Sequence, residues 1–119
     1  MPDPLYQSMA DFFRTLAHPV RIRLLELLGE GPRVVRDLLD DVGVGASSLS
    51  QQLAVLRRAG IVRKLPDGRY CLAGPDTLEL MHVTRGLLVH HLASQRELLE
   101  ALREEAESVK DAASAAVGR

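Results

Sequence analysis

Residues 46–73 constrain the fold of this chain more than any other stretch. Leu49, Leu53 and Leu56 recur at i, i+4 and i+7, the spacing of one buried helical face. Gly60 ends that helix, and two apolar, β-prone runs follow at residues 61–65 and 69–72. Pro66-Asp67-Gly68 lies between them, and Asp-Gly in that setting is a strong hairpin-turn signal. A short helix with one polar face therefore runs straight into a small hairpin.

Charge gives this segment a direction. The whole chain has a formal net charge of −1, yet residues 46–73 hold Arg57, Arg58, Arg63, Lys64 and Arg69 against Asp67 alone, a local +4. Residues 1–45 and 74–119 are both net acidic. A basic patch confined to one helix and one hairpin is the footprint expected for duplex nucleic acid, because local charge drives phosphate binding. Opposite the leucine stripe lie Ser47 and Gln51, flanked by Ser48. Short hydroxyls and an amide at the start of a helix suit base edges in the major groove. Ser47, Ser48 and Gln51 are therefore the candidate base contacts, and Ser50, Arg57, Arg58, Arg63, Lys64 and Arg69 the candidate phosphate contacts. One of Ser47 and Ser48 is also expected to cap the helix, since Ser48-x-x-Gln51 has capping-box spacing. A cap by one serine leaves the other free for a base.

The rest of the chain supplies a helical frame. Leu5, Met9, Phe12, Phe13 and Leu16 predict a helix over residues 4–16. Pro19 opens a second, to about Leu28, with Ile22, Leu24, Leu25, Leu27 and Leu28 as a broad apolar face. A third runs from about Val34 to Asp41 and meets the fourth through the glycine-rich residues 42–45, the pattern of a helix-turn-helix. A last helix is expected from Pro75 to about Val109. At ~1.5 Å per residue it would span ~52 Å and carry more apolar surface than one small domain covers. Pairing with a second copy accounts for this, with Met9, Phe12, Phe13, Met81, Leu88, Leu92 and Leu99 at the interface. The fold class is thus mainly α with a small hairpin: five helices and a two-stranded wing, dimeric through the first and last helices. Residues 1–111 form the domain, and 112–119 are expected to be a disordered tail.

Composition narrows the setting. Aromatic residues make up only 3% of the chain, so the core is aliphatic. One cysteine, Cys71, rules out an internal disulfide and fits a reducing compartment; placed on a wing strand, it reads as a small buried hydrophobe. No apolar run spans a membrane and no signal peptide opens the chain, so the expected location is the cytoplasm. There is no phosphate-binding glycine loop and no Ser/His/Asp arrangement, so an enzyme is not expected. Glu97, Glu100, Glu104 and Glu107 recur as a solvated helical face.

Two phrases carry a family resemblance. Phe12-Phe13-x-Thr15-Leu16-Ala17-His18-Pro19-x-Arg21-Ile22-x-x-Leu25, and Ser47-x-x-Ser50-Gln51-x-Leu53-x-x-Leu56-x-x-Ala59-Gly60-Ile61-Val62 with Asp67-Gly68-Arg69 after it, resemble ArsR-type (ArsR/SmtB) winged helix-turn-helix regulators over roughly residues 5–105. The resemblance implies a homodimeric repressor that binds a palindromic operator and is released by an inducer. Gln52 stands where many members carry His. The alternative reading is a dimeric interaction module on a winged-helix scaffold without specific DNA binding, for which the +4 cluster has no evident purpose.

The resemblance does not extend to a sensor. The family's Cys-x-Cys positions on the third helix fall on Val34 and Arg36. Of the last helix's ligand positions, only His82 matches; Leu80, Ala93 and Arg96 occupy the others. His82, His90 and His91 remain as metal candidates. Residues 82 and 90 sit ~12 Å apart along a helix, so they would meet only across a dimer, where Zn, Ni or Co would suit them. No cofactor is otherwise called for, and His18 reads as a helix-entry residue.

Overall fold

The computed structural model describes residues 3–117. Its order is α1 (Pro4–Leu16), α2 (Pro19–Gly29), α3 (Val35–Val42), α4 (Ala46–Arg58), β1 (Val62–Lys64), β2 (Tyr70–Leu72) and α5 (Asp76–Val117). The chain forms two compact units, Met1–Met81 and His82–Arg119, with the first turns of α5 in the first unit. The single domain expected over residues 1–111 is thus divided within α5.

Local chemistry sets the boundaries in the first unit. Pro4 and Pro19 each occupy the first turn of a helix, where a missing N–H costs nothing. Asp3 caps α1 by accepting from the Leu5 N–H at 2.8 Å, and His18 caps α2, its Nδ1 accepting from the Val20 N–H at 3.2 Å. Leu24, Leu25, Leu38, Leu49, Leu53 and Leu56 are fully buried, and Leu16, Leu27, Leu28, Ile61 and Val62 complete the core. Ile22 departs from the expected apolar face and is exposed. It sits about 100° around α2 from Arg21, whereas Leu24, Leu25 and Leu28 stay on Arg21's own side.

β1 and β2 pair antiparallel in the register Val62↔Leu72, Arg63↔Cys71 and Lys64↔Tyr70. Arg33 adds an isolated antiparallel bridge to Tyr70, with backbone bonds of 2.9 and 2.8 Å. This bridge ties the entry to α3 onto the hairpin, so helix-turn-helix and wing share one framework. Cys71 is buried on the inner side of β2, as a small hydrophobe would be.

In the second unit, α5 continues to Val117, so residues 112–117 are helical where a disordered tail was expected; 118 and 119 lie outside the described residues. Four of those six residues are alanine, the best helix former, and no proline or glycine interrupts them. No helix among the described residues is long and apolar enough to cross a membrane.

Candidate nucleic-acid interface

The turn between α3 and α4 fixes the start of the outward-facing helix. Gly43 closes α3 in the left-handed conformation, φ 73°, ψ 25°, and its N–H donates to the Leu39 carbonyl. Gly45 is the N-cap of α4 and Ala46 its first residue. The expected serine cap is therefore not formed: Ser47 and Ser48 fall inside the first turn, and no side chain caps the helix. The extended backbone at Gly45 starts the helix before either serine is reached. Its first amides thus have no side-chain acceptor, a favourable setting for an anion.

Burial along α4 separates three faces. Leu49, Leu53 and Leu56 are in the core; Ser47, Ser50, Gln51, Ala54, Arg57 and Arg58 are exposed; Ser48, Gln52 and Val55 are half-buried. Gln51, Ala54 and Arg58 form a ridge between two shallow clefts. One, about 370 Å³, is lined by Arg21, Gln51, Gln52, Ala54, Val55 and Arg58. The other, about 420 Å³, is lined by Val35, Ser50, Leu53, Ala54, Arg57, Arg58 and Tyr70. A ridge of this kind, with the exposed Arg57 and Arg58 on its outer face, can enter a groove while those arginines meet the backbone.

Arg21 is not among the residues the sequence singles out for the site. Its Nε donates to Oε1 of Gln52 at 2.7 Å, and its Nη1 donates to the Thr15 carbonyl at 3.0 Å. A signal was present: Arg21 precedes Leu24, Leu25 and Leu28 by three, four and seven residues, so it shares the α2 face that packs inward. A charge placed there needs partners.

The wing carries the remaining cations. Leu65 and Arg69 close the hairpin, the Leu65 N–H donating to the Arg69 carbonyl at 2.7 Å, and Gly68 takes φ 90° in the turn. Asp67 accepts from the Arg69 backbone N–H at 3.0 Å and from its Nε at 2.7 Å. These bonds, the backbone one foremost, hold the Asp67 carboxyl below the usual carboxylate range. Arg69 is thus paired inside the turn instead of standing free. Lys64 Nζ lies 5.7 Å from the centre of the Tyr70 ring. Arg33 is neutralised by Glu30 and by Asp41, the latter at 2.6 Å. Among the described residues Arg57, Arg58 and Arg63 form no ion pair. The outer face of α4 and β1 together thus carry three unpaired arginines.

The other expected sites fall elsewhere. Met9 and Phe13 on α1 are exposed, whereas Phe12 and Met81 are half-buried against the core of the first unit. Leu88, Leu92 and Leu99 are exposed on α5, as are His82, His90 and His91. Among the described residues no three His, Cys, Asp or Glu side chains gather as a metal-binding group.

A helix-turn-helix with an outward second helix and a basic hairpin defines the winged helix-turn-helix class of DNA-binding proteins. The model of the arsR family of bacterial regulatory proteins matches residues 18–64. The chain is 52% identical over 105 residues to the uncharacterized HTH-type transcriptional regulator Rv0081 of Mycobacterium tuberculosis, covering 85% of this chain and 92% of that one. The crystal structure of Rv0081 aligns with a TM-score of 0.74 over 79% of this chain and 98% of its own. The solution structure of the homodimeric winged helix-turn-helix domain of Mb0332 from Mycobacterium bovis aligns at 0.68, with 26% identity over 77% and 91% of the two chains. The repressor BigR of Xylella fastidiosa aligns at 0.61, with 32% identity over 72% and 88%. The chain belongs to the ArsR family of bacterial transcriptional regulators.

Proposed function

We propose that this regulator is a cytoplasmic, homodimeric repressor that binds a palindromic operator and is released by an inducer. The observation that carries the reading is the exposed ridge of α4 with unpaired arginines beside it and a basic wing next in the chain. Gln51, Ser47 and Ser48 read base edges from the start of that helix. Ser50, Arg57, Arg58, Arg63, Lys64 and Arg69 hold phosphates, Arg69 in competition with Asp67.

Two observations support the dimer. α1 and α5 expose Leu5, Met9, Phe13, Leu88, Leu92 and Leu99, each about half exposed or more. Large apolar side chains repeated along a helix face call for a partner. The relative Mb0332 is described as homodimeric. Two copies of α4 related by a two-fold axis would then read two half-sites about one helical turn, or a multiple of it, apart.

The test is capture of genomic fragments by the purified protein, starting with the DNA upstream of its own gene. Enrichment of one short inverted repeat is the expected result; uniform recovery of all fragments contradicts the reading. Repeating the capture with Zn, Ni and Co asks whether His82, His90 and His91 serve an inducer. Light scattering at micromolar concentration should return twice the chain mass.

A further inference from the structure

Arg21 joins three elements through two bonds. From the first turn of α2, its Nε reaches the Gln52 side chain on α4 and its Nη1 reaches the backbone of Thr15 in the last turn of α1. Both contacts are part-buried, which strengthens them relative to surface bonds. The guanidinium is a rigid planar fork, so the two acceptors are held at one fixed separation; an ammonium carries no such geometry. The acceptor on α4 is the immediate neighbour of Gln51, and both line the cleft on the α2 flank of the helix.

This geometry bears on base reading. A rotation of α4 by about 10° moves a side-chain group about 6 Å from its axis by about 1 Å. That displacement exceeds the ~0.5 Å range over which a hydrogen bond to a base is well made. The close-packed leucine stripe seats the helix on the core, and a hydrogen bond on its flank adds a directional restraint on its rotation. The Arg21–Gln52 bond is directional and lies on the side of the helix, where rotation stretches it most.

We propose that Arg21 is a positioning residue for DNA reading. It sets the rotation of α4 through Gln52, and it ties that rotation to the C-terminal end of α1. Gln52 accordingly serves as the handle by which the helix is held, and Gln51 as the reader. α1 also carries the exposed Met9 and Phe13, so a change in how that helix is packed reaches the base-reading face through a single side chain. This rests on the reading of α4 as the helix that contacts bases.

The experiment compares wild type, Gln52→Met, Arg21→Lys, the double variant and the pair Arg21→Lys with Gln52→Glu. Each is titrated against the selected operator and against a scrambled duplex of equal length, with melting temperature and salt dependence recorded. Gln52→Met keeps the length of the side chain and the Arg21–Thr15 bond, so it is the gentler probe of the two. Each single variant should lower the operator-to-scrambled affinity ratio about tenfold, within the range of one lost base contact, while affinity for scrambled DNA stays at the wild-type level. The double variant should be no worse than either single one, because both break the same link. The Lys–Glu pair should recover part of the ratio. A lowered melting temperature with the ratio intact reduces Arg21 to a structural role and overturns the proposal. Equal losses on both duplexes, with a salt slope flatter by about 0.9, make Arg21 a phosphate contact and overturn it too. A wild type that fails to distinguish the duplexes removes the DNA reading itself, whereas selective variants beside a selective wild type remove this proposal alone.

Discussion

Asp67→Asn should tighten DNA binding. Asp67 is the one acid within residues 46–73, and its carboxylate occupies Arg69 at 2.7 Å. Asparagine keeps an oxygen for the Arg69 backbone N–H, so the turn is retained while the charge and the ion pair are lost. Arg69 is then free to meet a phosphate. Removing that competitor completes the Arg69 phosphate contact, so the slope of log affinity against log salt steepens by up to about 0.9 and the loss in affinity between about 50 and 200 mM salt grows by up to roughly 3.5-fold. The sign with pH is fixed by the lowered Asp67 carboxyl. Its contribution is fully present above the ordinary carboxylate range and is lost only as pH falls through the lowered value. At neutral pH the wild-type acid is therefore charged, and the comparison is clean. Fluorescence anisotropy on a labelled duplex across a salt series measures the slope, with Arg69→Ala as control. An unchanged or flatter slope for a folded Asp67→Asn protein refutes the idea that Arg69 turns toward DNA.

Three other perturbations address the frame. Leu53→Ala empties a core position beneath α4 and should cost about 2–5 kcal/mol in chemical denaturation, without altering which sequence the surviving folded protein selects. Gly43→Ala places a Cβ on a left-handed residue in open space, so the cost is backbone strain of about 1–2 kcal/mol with no clash, read as a lower melting temperature. Leu92→Glu on the exposed α5 face should raise the monomer fraction in analytical ultracentrifugation and weaken operator binding in parallel; a dimer of undiminished stability would remove Leu92 from the interface.

Much of this architecture was legible because its signals are local. The order of five helices and a hairpin follows from leucine spacing, from Pro19 and Pro66, and from Gly60 and Gly68. The helix ends fell within a residue or two from α1 to α4, whereas α5 runs about eight residues past the expected Val109. What escaped the sequence was set at a distance. Arg33 pairs with Tyr70, and Arg21 with Gln52, across chain separations that no periodicity encodes. The serines of α4 look like caps, yet the glycine before them starts the helix first. Residues 112–117 look like a tail for want of large side chains, but alanine needs none to be helical. The free cations on α4 and β1 were visible as a charge cluster, whereas the Asp67–Arg69 pairing depended on how the turn closes.

If the outer face of α4 reads bases, Gln51→Ala removes a base contact and little else. Gln51 is exposed, outside the core and free of the Arg21 link, so its loss should leave the melting temperature and the dimer unchanged. Titration against the selected operator should show a loss of about 1–3 kcal/mol, with binding to scrambled duplex at the wild-type level. Equal operator affinity for wild type and Gln51→Ala, both folded and dimeric, would take base reading away from this face of α4.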